Sequence, residues 1–339
     1  MNPMPQAIGA ETPEQTALRE SVRELLARGP GDSLWFRLAG QMGLAALAVP
    51  ESAGGAGAGL AEVAVVVEEL GRALVPVPYL STALAAAVLG EGDERAAATF
   101  LPALVSGAGT AALALHGDVR CTAGRLDGVA DHVLDGGGAG TLLVRVGTEV
   151  HVARATDADV TRSETLDQTR GQASVRFRQV PAVRTGLAAD RVEQLAQVLL
   201  AVESVGGAEH CLAATVAYLK IREQFGRPIG SFQALKHRCA DLAAEVASAG
   251  ATARAAVAAA GGADPATAEL PVLAPLAKRY CAEVFLHVAA EMIQLHGGIG
   301  FTWEHEAHRY FKRAKSTQLL YGTPAELRRV IGTRAGLTG

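Results

Sequence analysis

The sequence has 339 residues, and its 31 Lys and Arg against 35 Asp and Glu give a formal net charge of −4. A nucleic-acid-binding surface needs a basic excess, so this charge balance argues against a nucleic-acid partner. Hydrophobic residues make up 49% of the chain and aromatic residues only 4%, so an apolar mass of Ala, Val and Leu fills the core and excludes disorder for most of the chain.

The cysteines and the N-terminal segment bear on the compartment. No two of the four cysteines form a CxxC pair, which indicates free thiols in a reducing compartment; they are Cys121, Cys211, Cys239 and Cys281. Met1–Ala10 has neither the basic nor the apolar part of a signal peptide, and no uncharged apolar run has the length of a membrane span. We therefore expect a soluble cytoplasmic protein without a membrane partner.

Helical signals fill the first 110 residues. In Thr12-Pro13-Glu14-Gln15, a capping Thr, a Pro suited to the first turn and a Gln at the capping-box position predict the start of a helix. The Gly-rich loop Glu51–Gly57 has the spacing of neither common phosphate loop, so we expect no phosphate site there. Further helices are predicted at Trp35–Met42, Leu60–Leu74, Tyr79–Leu89 and Asp93–Leu104.

After residue 110 the pattern changes to short apolar runs punctuated by Gly. Apolar and polar residues alternate over 173–178 with the period of a strand. The pairs Asp127-Gly128 and Val146-Gly147 are typical of tight turns. These signals predict a small β domain over 111–185, with its last strand ending near Pro181.

Long amphipathic patterns return from Leu187 to the end of the chain, with a Gly-rich loop at Gly261–Pro265. They predict four helices, Val192–Arg222, Phe232–Ala260, Glu269–Gly297 and Glu304–Leu320. The predicted fold class is therefore α+β, mostly α. Its three parts are an N-terminal helical domain (1–110), a reduced β domain (111–185) and a C-terminal four-helix bundle (186–339).

Two motifs closely resemble signatures of the acyl-CoA dehydrogenase family. They are Ile221–Gln233 (IREQFGRPIGSFQ) and Gln294–Phe301 (QLHGGIGF), the second followed by Arg313-Ala314-Lys315. The resemblance covers nearly the whole chain and implies the helical, β and four-helix-bundle domains of that family. It also implies removal of a proton and a hydride from the Cα–Cβ bond of an acyl-CoA, with FAD held between subunits and an electron-transferring flavoprotein as acceptor.

The motif residues offer chemistry suited to a flavin dinucleotide. Arg222 supplies a forked cation for a pyrophosphate, and the backbone at Gly297-Gly298 allows close approach. The resemblance implies contacts with the ADP half of a neighbouring subunit's FAD from Arg222, Phe225, Phe232, Gln233, Gln294, Gly297 and Gly298. Alternatively, Arg222 is a solvated cation at a helix end, and Phe225 and Phe232 are core residues.

The two positions at which the family carries its catalytic Glu hold other residues here. The residue before Gly322-Thr323 is Tyr321, a phenol with a reference pKa of about 10 that makes a poor base at neutral pH. The position used by a minority of members is Ala196. The nearest substitute is Glu203, two helical turns or about 10 Å further along the same face. Its alternative role is a polar contact inside the bundle.

The middle of the chain also departs from the family pattern. It lacks the Thr-Glu and Gly-Ser-Asp loop that contacts the flavin ring and the substrate in typical members. We interpret Asp167–Arg170 as a retained fragment in which Arg170 closes a local salt bridge. Gln197 stands where minority members often have an Arg that faces the CoA.

These losses resemble the smaller subunit of heterotetrameric α2β2 acyl-CoA dehydrogenases, which have two FAD sites and accept steroid side-chain thioesters among their substrates. The leading hypothesis is a subunit that completes a shared FAD site while a partner chain supplies the base and the flavin loop. Two alternatives remain: a homo-oligomeric active dehydrogenase that uses Glu203 or an unusual base, and a non-catalytic assembly protein.

The last helices predict an interface with another chain, because they offer more apolar surface than a small bundle needs to bury. The residues concerned are Phe285, Val288, Met292, Leu295, Ala307, Phe311, Ala314 and Leu319. The histidines at 296, 305 and 308 form no HExxH motif and no third ligand is evident, so we expect no metal site.

Overall fold

A computed structural model describes residues 11–29, 34–262 and 269–337. Met1–Ala10 and the Ala263–Pro265 part of the Gly-rich loop lie outside these ranges. None of the helices within them is long and apolar enough to cross a membrane.

The N-terminal part is helical, as the sequence predicts. Thr12 and Gln15 form the expected reciprocal cap, with the Gln15 amide donating to Thr12 Oγ1 at 3.2 Å and the Thr12 amide to Gln15 Oε1 at 3.1 Å. The elements are α1 (Pro13–Ala27), a π-helical segment (Phe36–Gln41), short 3₁₀ turns (Leu44–Ala46 and Glu51–Ala53), α2 (Leu60–Ala73), α3 (Tyr79–Glu91) and α4 (Glu94–Val105).

Seven strands follow and form one sheet in the order β2-β3-β1-β4-β5-β7-β6. Their bounds are β1 (Ala111–Ala114), β2 (Gly117–Thr122), β3 (Arg125–Leu134), β4 (Thr141–Val146), β5 (Glu149–Arg154), β6 (Asp159–Ser163) and β7 (Gln172–Ala188). All pairs are antiparallel except β1 with β4. An added β3–β7 pairing joins β3, β1, β4, β5 and β7 into a closed ring of strands. Strand β7 continues past Pro181, further than predicted.

One predicted turn is wrong. Asp127-Gly128 lies inside β3, where Gly128 pairs with Val119 of β2. The hairpin turn is Ala123-Gly124 instead, with both residues at positive φ. Gly128 is needed for a different reason, since a Cβ there would lie 2.0 Å from the Asp118 carbonyl oxygen. The predicted turn at Gly147, with φ of 60°, is confirmed.

The C-terminal part contains the four predicted helices and one more. Their bounds are α5 (Ala189–Ile221), a small hairpin of β8 (Glu223–Gln224) and β9 (Arg227–Pro228), α6 (Gln233–Ala260), α7 (Leu270–His296), a 3₁₀ segment (Gly297–Phe301), α8 (Ala307–Leu319) and α9 (Pro324–Arg334). The sequence analysis missed α9, although Thr323 and Glu326 form its capping box around Pro324.

The chain divides into two compact units. Within the described residues, the helical unit comprises 11–20, 67–74, 197–262 and 269–337, and the sheet unit comprises 21–29, 34–66 and 75–196. The helical unit combines segments from both ends of the chain, so the two units do not correspond one to one with the three predicted domains. The predicted domain boundaries therefore remain a prediction; they are 1–110, 111–185 and 186–339.

Close contact between α2 and α5 helps to hold the helical unit together. A Cβ at Gly71 would lie 2.3 Å from the Glu203 carbonyl oxygen, and one at Gly206 would lie 2.0 Å from that of Glu68. Only glycines at these two positions allow the helix backbones to approach so closely. The position of Glu203 is therefore fixed by backbone packing at Glu203 itself and at Gly206, three residues later.

The predicted apolar interface needs correction. Six of its eight residues are buried inside the chain, while Phe311 is half-buried and Leu319 is 57% exposed. Helices α7 and α8 use most of this surface to pack against their own neighbours. The exposed large apolar residues of the helical unit lie mainly elsewhere, at Ile221, Phe225, Ile299, Phe301 and Trp303.

Candidate functional site

The first wall of the candidate site is built where α5 ends. The hairpin β8–β9 turns at Phe225 (φ 53°) and Gly226 (φ 76°), both in the left-handed region. The Ile229 amide donates to the Arg222 carbonyl at 2.8 Å and closes this segment. Left-handed backbone is unfavourable for a residue with a Cβ, and such residues cluster at functional sites. In this hairpin, the left-handed backbone at Phe225 leaves that residue 91% exposed.

The second wall is the end of α7 and the 3₁₀ segment after it. Gln294, His296, Gly297 and Gly298 line a cavity of about 430 Å³ together with residues of the first wall. We name it the Arg222 cavity. Its full lining is Tyr218, Arg222, Gln224, Ile229, Leu235, Arg238, Gln294, Leu295, His296, Gly297, Gly298 and Ile299.

The cavity carries two arginines with different roles. Arg238 is engaged with Glu291, its Nη2 donating to Oε1 at 2.7 Å. Arg222 is exposed, and within residues 11–29, 34–262 and 269–337 no ion pair or hydrogen bond occupies its guanidinium. A planar fork of unoccupied donors on a cavity wall suits a phosphate or pyrophosphate.

The two glycines of the cavity leave room for a ligand. Gly297 has φ of 61° and needs glycine for its backbone. Gly298 has no positive φ, and a Cβ added there would meet no atom within 4 Å. Neither backbone nor packing in the described chain requires glycine at 298. The missing side chain keeps the cavity wall open, as close approach of a bound molecule would require.

Four of the seven predicted cofactor residues meet in this cavity, namely Arg222, Gln294, Gly297 and Gly298. Phe225 and Phe232 lie outside its lining and pack edge to face, with ring centroids 6.1 Å apart. Gln233 is exposed at the start of α6 and also lies outside the lining. The prediction that Phe225 is a core residue is excluded by its exposure.

The sequence analysis missed an aromatic part of the wall. His296 is 4% exposed and stacks on Tyr218 at 4.4 Å between ring centroids, with His305 on it at 4.3 Å. Burial lowers the pKa of His296, so its ring is neutral at pH 7. Because the Met292 carbonyl only accepts, Nδ1 carries the proton and donates to it at 2.7 Å. Tyr218 stands one helical turn before Arg222, a spacing that was readable in the sequence.

The proposed substitute base, Glu203, is engaged inside the helical unit. Its Oε1 accepts from Arg313 Nη1 at 2.8 Å, and the two side chains are only 10% and 5% exposed. A carboxylate with a buried guanidinium partner is stabilised in its charged form and bound in place. This is the polar contact inside the bundle that was the alternative role for Glu203.

Tyr321, at the position where many family members carry the catalytic Glu, is buried, and hydrogen bonds from two side chains hold the backbone around it. Tyr321 is 2% exposed, and its carbonyl accepts from Gln197 Nε2 at 3.0 Å. The buried Lys278 donates from Nζ to the carbonyls of Gln318 at 2.9 Å and Gly322 at 2.6 Å. We call residues 318–323 the Tyr321 turn. Its backbone carbonyls serve as internal hydrogen-bond acceptors.

The segment 167–170 forms a turn of the sheet unit. Asp167 is 1% exposed and accepts from the amide and hydroxyl of Thr169 at 2.9 and 2.6 Å. Arg170 is also buried. Among the described residues, no group of three or more His, Cys, Asp or Glu is placed to hold a metal ion.

Both ends of the chain match known protein domains. The acyl-CoA dehydrogenase N-terminal domain matches residues 12–108, and the C-terminal domain matches residues 192–336. The chain is 41% identical to the acyl-CoA dehydrogenase IpdE2 of Mycobacterium tuberculosis, over 93% of this chain and 95% of that protein. It is 37% identical to FadE34 of the same organism over 87% of this chain and 41% of that protein.

Solved structures show the same fold. One is the steroid acyl-CoA dehydrogenase Tcur3481-Tcur3483 (G363A variant), with a TM-score of 0.87 and 30% identity over 95% of this chain and 98% of that one. The other is the ChsE4-ChsE5 complex from M. tuberculosis, with a TM-score of 0.87 and 28% identity over 97% and 99%. Members of the acyl-CoA dehydrogenase family are FAD-dependent flavoproteins. This chain belongs to the acyl-CoA dehydrogenase family.

Proposed function

We propose that the chain is the smaller subunit of an α2β2 acyl-CoA dehydrogenase, in which it completes an FAD site shared with a larger chain. The observation that carries the proposal is the contrast within the helical unit. Arg222 faces a cavity with its donors unoccupied, whereas Glu203 is bound to Arg313 and Tyr321 is buried. The two-component names of the steroid acyl-CoA dehydrogenase and of the ChsE4-ChsE5 complex support a partner chain.

The Arg222 cavity fits the ADP half of FAD by the chemistry of its donors. Arg222 would bind the pyrophosphate, the Gln294 amide would hydrogen-bond to ribose or adenine, and the backbone at Gly298 would lie against the nucleotide. Bound FAD supplies the hydride acceptor for α,β-dehydrogenation of an acyl-CoA thioester. The Tyr218 and His296 rings stack on each other in this wall and offer flat surfaces beside the proposed nucleotide.

The partner chain would supply the base and the flavin loop. Around the Arg222 cavity, large apolar side chains stand in solvent, with Phe225, Phe301 and Trp303 at 91%, 89% and 77% exposure. Clusters of exposed apolar residues mark interaction surfaces. A larger dehydrogenase chain seated here would cover them and bring its flavin to the cavity. Electrons would then pass to an electron-transferring flavoprotein, and a steroid-type acyl-CoA is the substrate class that the related names favour.

The proposal is tested by expressing the chain alone and together with a candidate larger subunit. Alone, it should be flavin-poor, self-associating and inactive; together, the pair should retain FAD and dehydrogenate an acyl-CoA. Activity of the chain alone, with one FAD per chain, would support the homo-oligomeric dehydrogenase. In that case Glu203→Gln tests the unusual base. A colourless and inactive complex would support the assembly protein.

A further inference from the structure

The sheet unit contains a second cavity of about 470 Å³ that the proposed function does not use. We name it the Trp35 cavity. Its walls include Trp35, Gly138, Arg162, Gln168 and Gly171. All of its lining residues belong to the sheet unit, whereas the Arg222 cavity lies in the helical unit. Its volume falls within the usual range for small-molecule sites.

The guanidinium in this cavity is held in place by the glycine turn after β3. Arg162 Nε donates to the Gly137 carbonyl at 3.1 Å. The stem of Arg162 lies across Gly137, since a Cβ there would be 2.7 Å from Cγ. Within the described ranges, no ion pair or hydrogen bond occupies the two terminal nitrogens of Arg162. The side chain is therefore positioned by Nε while the four N–H donors of its two terminal nitrogens stay available.

Two glycines keep the cavity open, as Gly298 does in the Arg222 cavity. A Cβ added at Gly138 or at Gly171 would meet no atom within 4 Å, and neither residue has a positive φ. Neither packing nor backbone conformation in the described residues explains glycine at these positions. Both line the cavity, so side chains there would fill it.

The remaining walls combine a flat ring with neutral polar groups. The indole of Trp35 is fixed by its Nε1 donating to the Gly107 carbonyl at 3.0 Å. Ser163 and Gln168 are exposed, and no hydrogen bond within the described residues occupies their side chains. The one acidic lining residue, Asp135, accepts from Ser81 Oγ at 3.0 Å.

We infer that the Trp35 cavity binds a small nucleotide or a similar phosphorylated ligand with a planar ring. The fork of Arg162 suits the phosphate, and Ser163 and Gln168 suit hydroxyl or amide groups. The Trp35 ring offers an apolar surface for the planar part of the ligand. This site is independent of the shared FAD site and does not rest on the proposed subunit role.

The experiment uses Trp35 as the reporter. The chain has two tryptophans, so Trp303→Phe leaves Trp35 as the only one. In that background, AMP and adenosine 3′,5′-bisphosphate should change Trp35 emission saturably. Arg162→Gln should weaken their binding about tenfold or more, the loss expected for a charge-assisted contact. Arg120→Gln, at an exposed arginine of β2, is the matched control and should leave binding unchanged.

Further variants and ligands test the contributions of the open cavity, the Arg162 charge and the Trp35 ring separately. Gly138→Leu should block the ligand without removing any charge, and it stays informative if Arg162→Gln fails to fold. Adenosine or inorganic phosphate alone should bind at least tenfold more weakly than AMP. Equal binding of phosphate alone would overturn the role of Trp35, and equal binding of adenosine would overturn that of Arg162. No saturable change with either nucleotide would overturn the site itself.

Discussion

The Arg222 cavity and the Tyr321 turn belong to the same helical unit, but they differ in whether their polar groups are hydrogen-bonded within the chain. Around Arg222, a guanidinium and the Gln294 amide have no partner within the described residues, and large apolar side chains are exposed. At the Tyr321 turn, the buried Lys278 is bonded to backbone carbonyls, and elsewhere in the same unit the buried Glu203 is paired with Arg313.

This difference separates ligand binding from folding. A polar group buried without a partner is costly, so the contacts of Lys278 with the Tyr321 turn and of Glu203 with Arg313 support the folded chain. An exposed arginine with unoccupied donors contributes little to folding, so its position in a cavity indicates binding. Mutations of the buried, bonded groups should change stability, and mutations in the Arg222 cavity should change flavin retention.

The largest effect is expected from breaking the buried ion pair. Glu203→Ala removes the carboxylate that faces the buried Arg313 guanidinium, and we expect a loss of about 3–5 kcal/mol in the free energy of unfolding. Glu209→Ala is the control, because the Glu209–Arg72 pair is more exposed and should contribute less than about 1 kcal/mol. Urea unfolding of both variants measures the difference. Equal losses of unfolding free energy in the two variants would contradict the structural role of the buried Glu203–Arg313 pair.

A smaller effect, on binding alone, is expected at the cavity. Arg222→Ala should weaken FAD affinity of the assembled complex by about 1.5–3 kcal/mol, or roughly tenfold to a hundredfold, at unchanged stability. Arg329→Ala, at an exposed arginine of α9, should change neither quantity. Flavin titration and thermal unfolding check the pair. Normal affinity in Arg222→Ala would remove Arg222 from the proposed site.

A smaller effect, on the pH dependence of stability, is expected from His296. Burial lowers its folded-state pKa below the ordinary value of about 6.5. Its stabilising contribution is therefore fully present above pH 6.5 and is lost as the pH falls through the folded-state pKa, because the unfolded chain binds the proton first. His296→Phe keeps a ring between Tyr218 and His305 and should flatten the stability profile below pH 6.5. An unchanged slope would show that other groups cause the acid sensitivity.

The smallest effect is expected at Tyr321. Its phenol is buried, and a phenol accepts a proton poorly at pH 7. Tyr321→Phe in an active complex should keep turnover within about twofold. A loss of about a hundredfold or more, the scale of general-base catalysis, would identify the phenol as a base after all. Steady-state turnover at matched flavin occupancy is the measurement.

Local signals in the sequence predicted the elements well where the partner residues are neighbours in the chain. Thr12 and Gln15 cap α1 as expected, and Gly147 makes the expected turn. The same capping pattern at Thr323 and Glu326 was available for α9 and was missed. Asp127-Gly128 was misassigned, because pairing of β3 with β2 and β7 is a long-range event that a two-residue pattern does not contain.

For the candidate site, too, the sequence predicted single residues but not the contacts between distant segments. The motifs identified Arg222 and Gln294, whose cavity forms where the ends of α5 and α7 meet. The stacking of His296 on Tyr218 depends on that meeting and could not be read from either motif alone. The partner of Glu203 lies 110 positions away at Arg313, so only the folded chain shows that this carboxylate is engaged.

The proposed role of this chain is to complete another chain's flavin site. Native mass measurement of the coexpressed complex tests it most directly, because chains and bound FAD are counted in one spectrum. We expect two copies of this chain, two copies of a larger dehydrogenase chain and two FAD molecules, with Arg222→Ala losing flavin while the chains stay assembled. A homotetramer of this chain alone, carrying four FAD molecules, would contradict it.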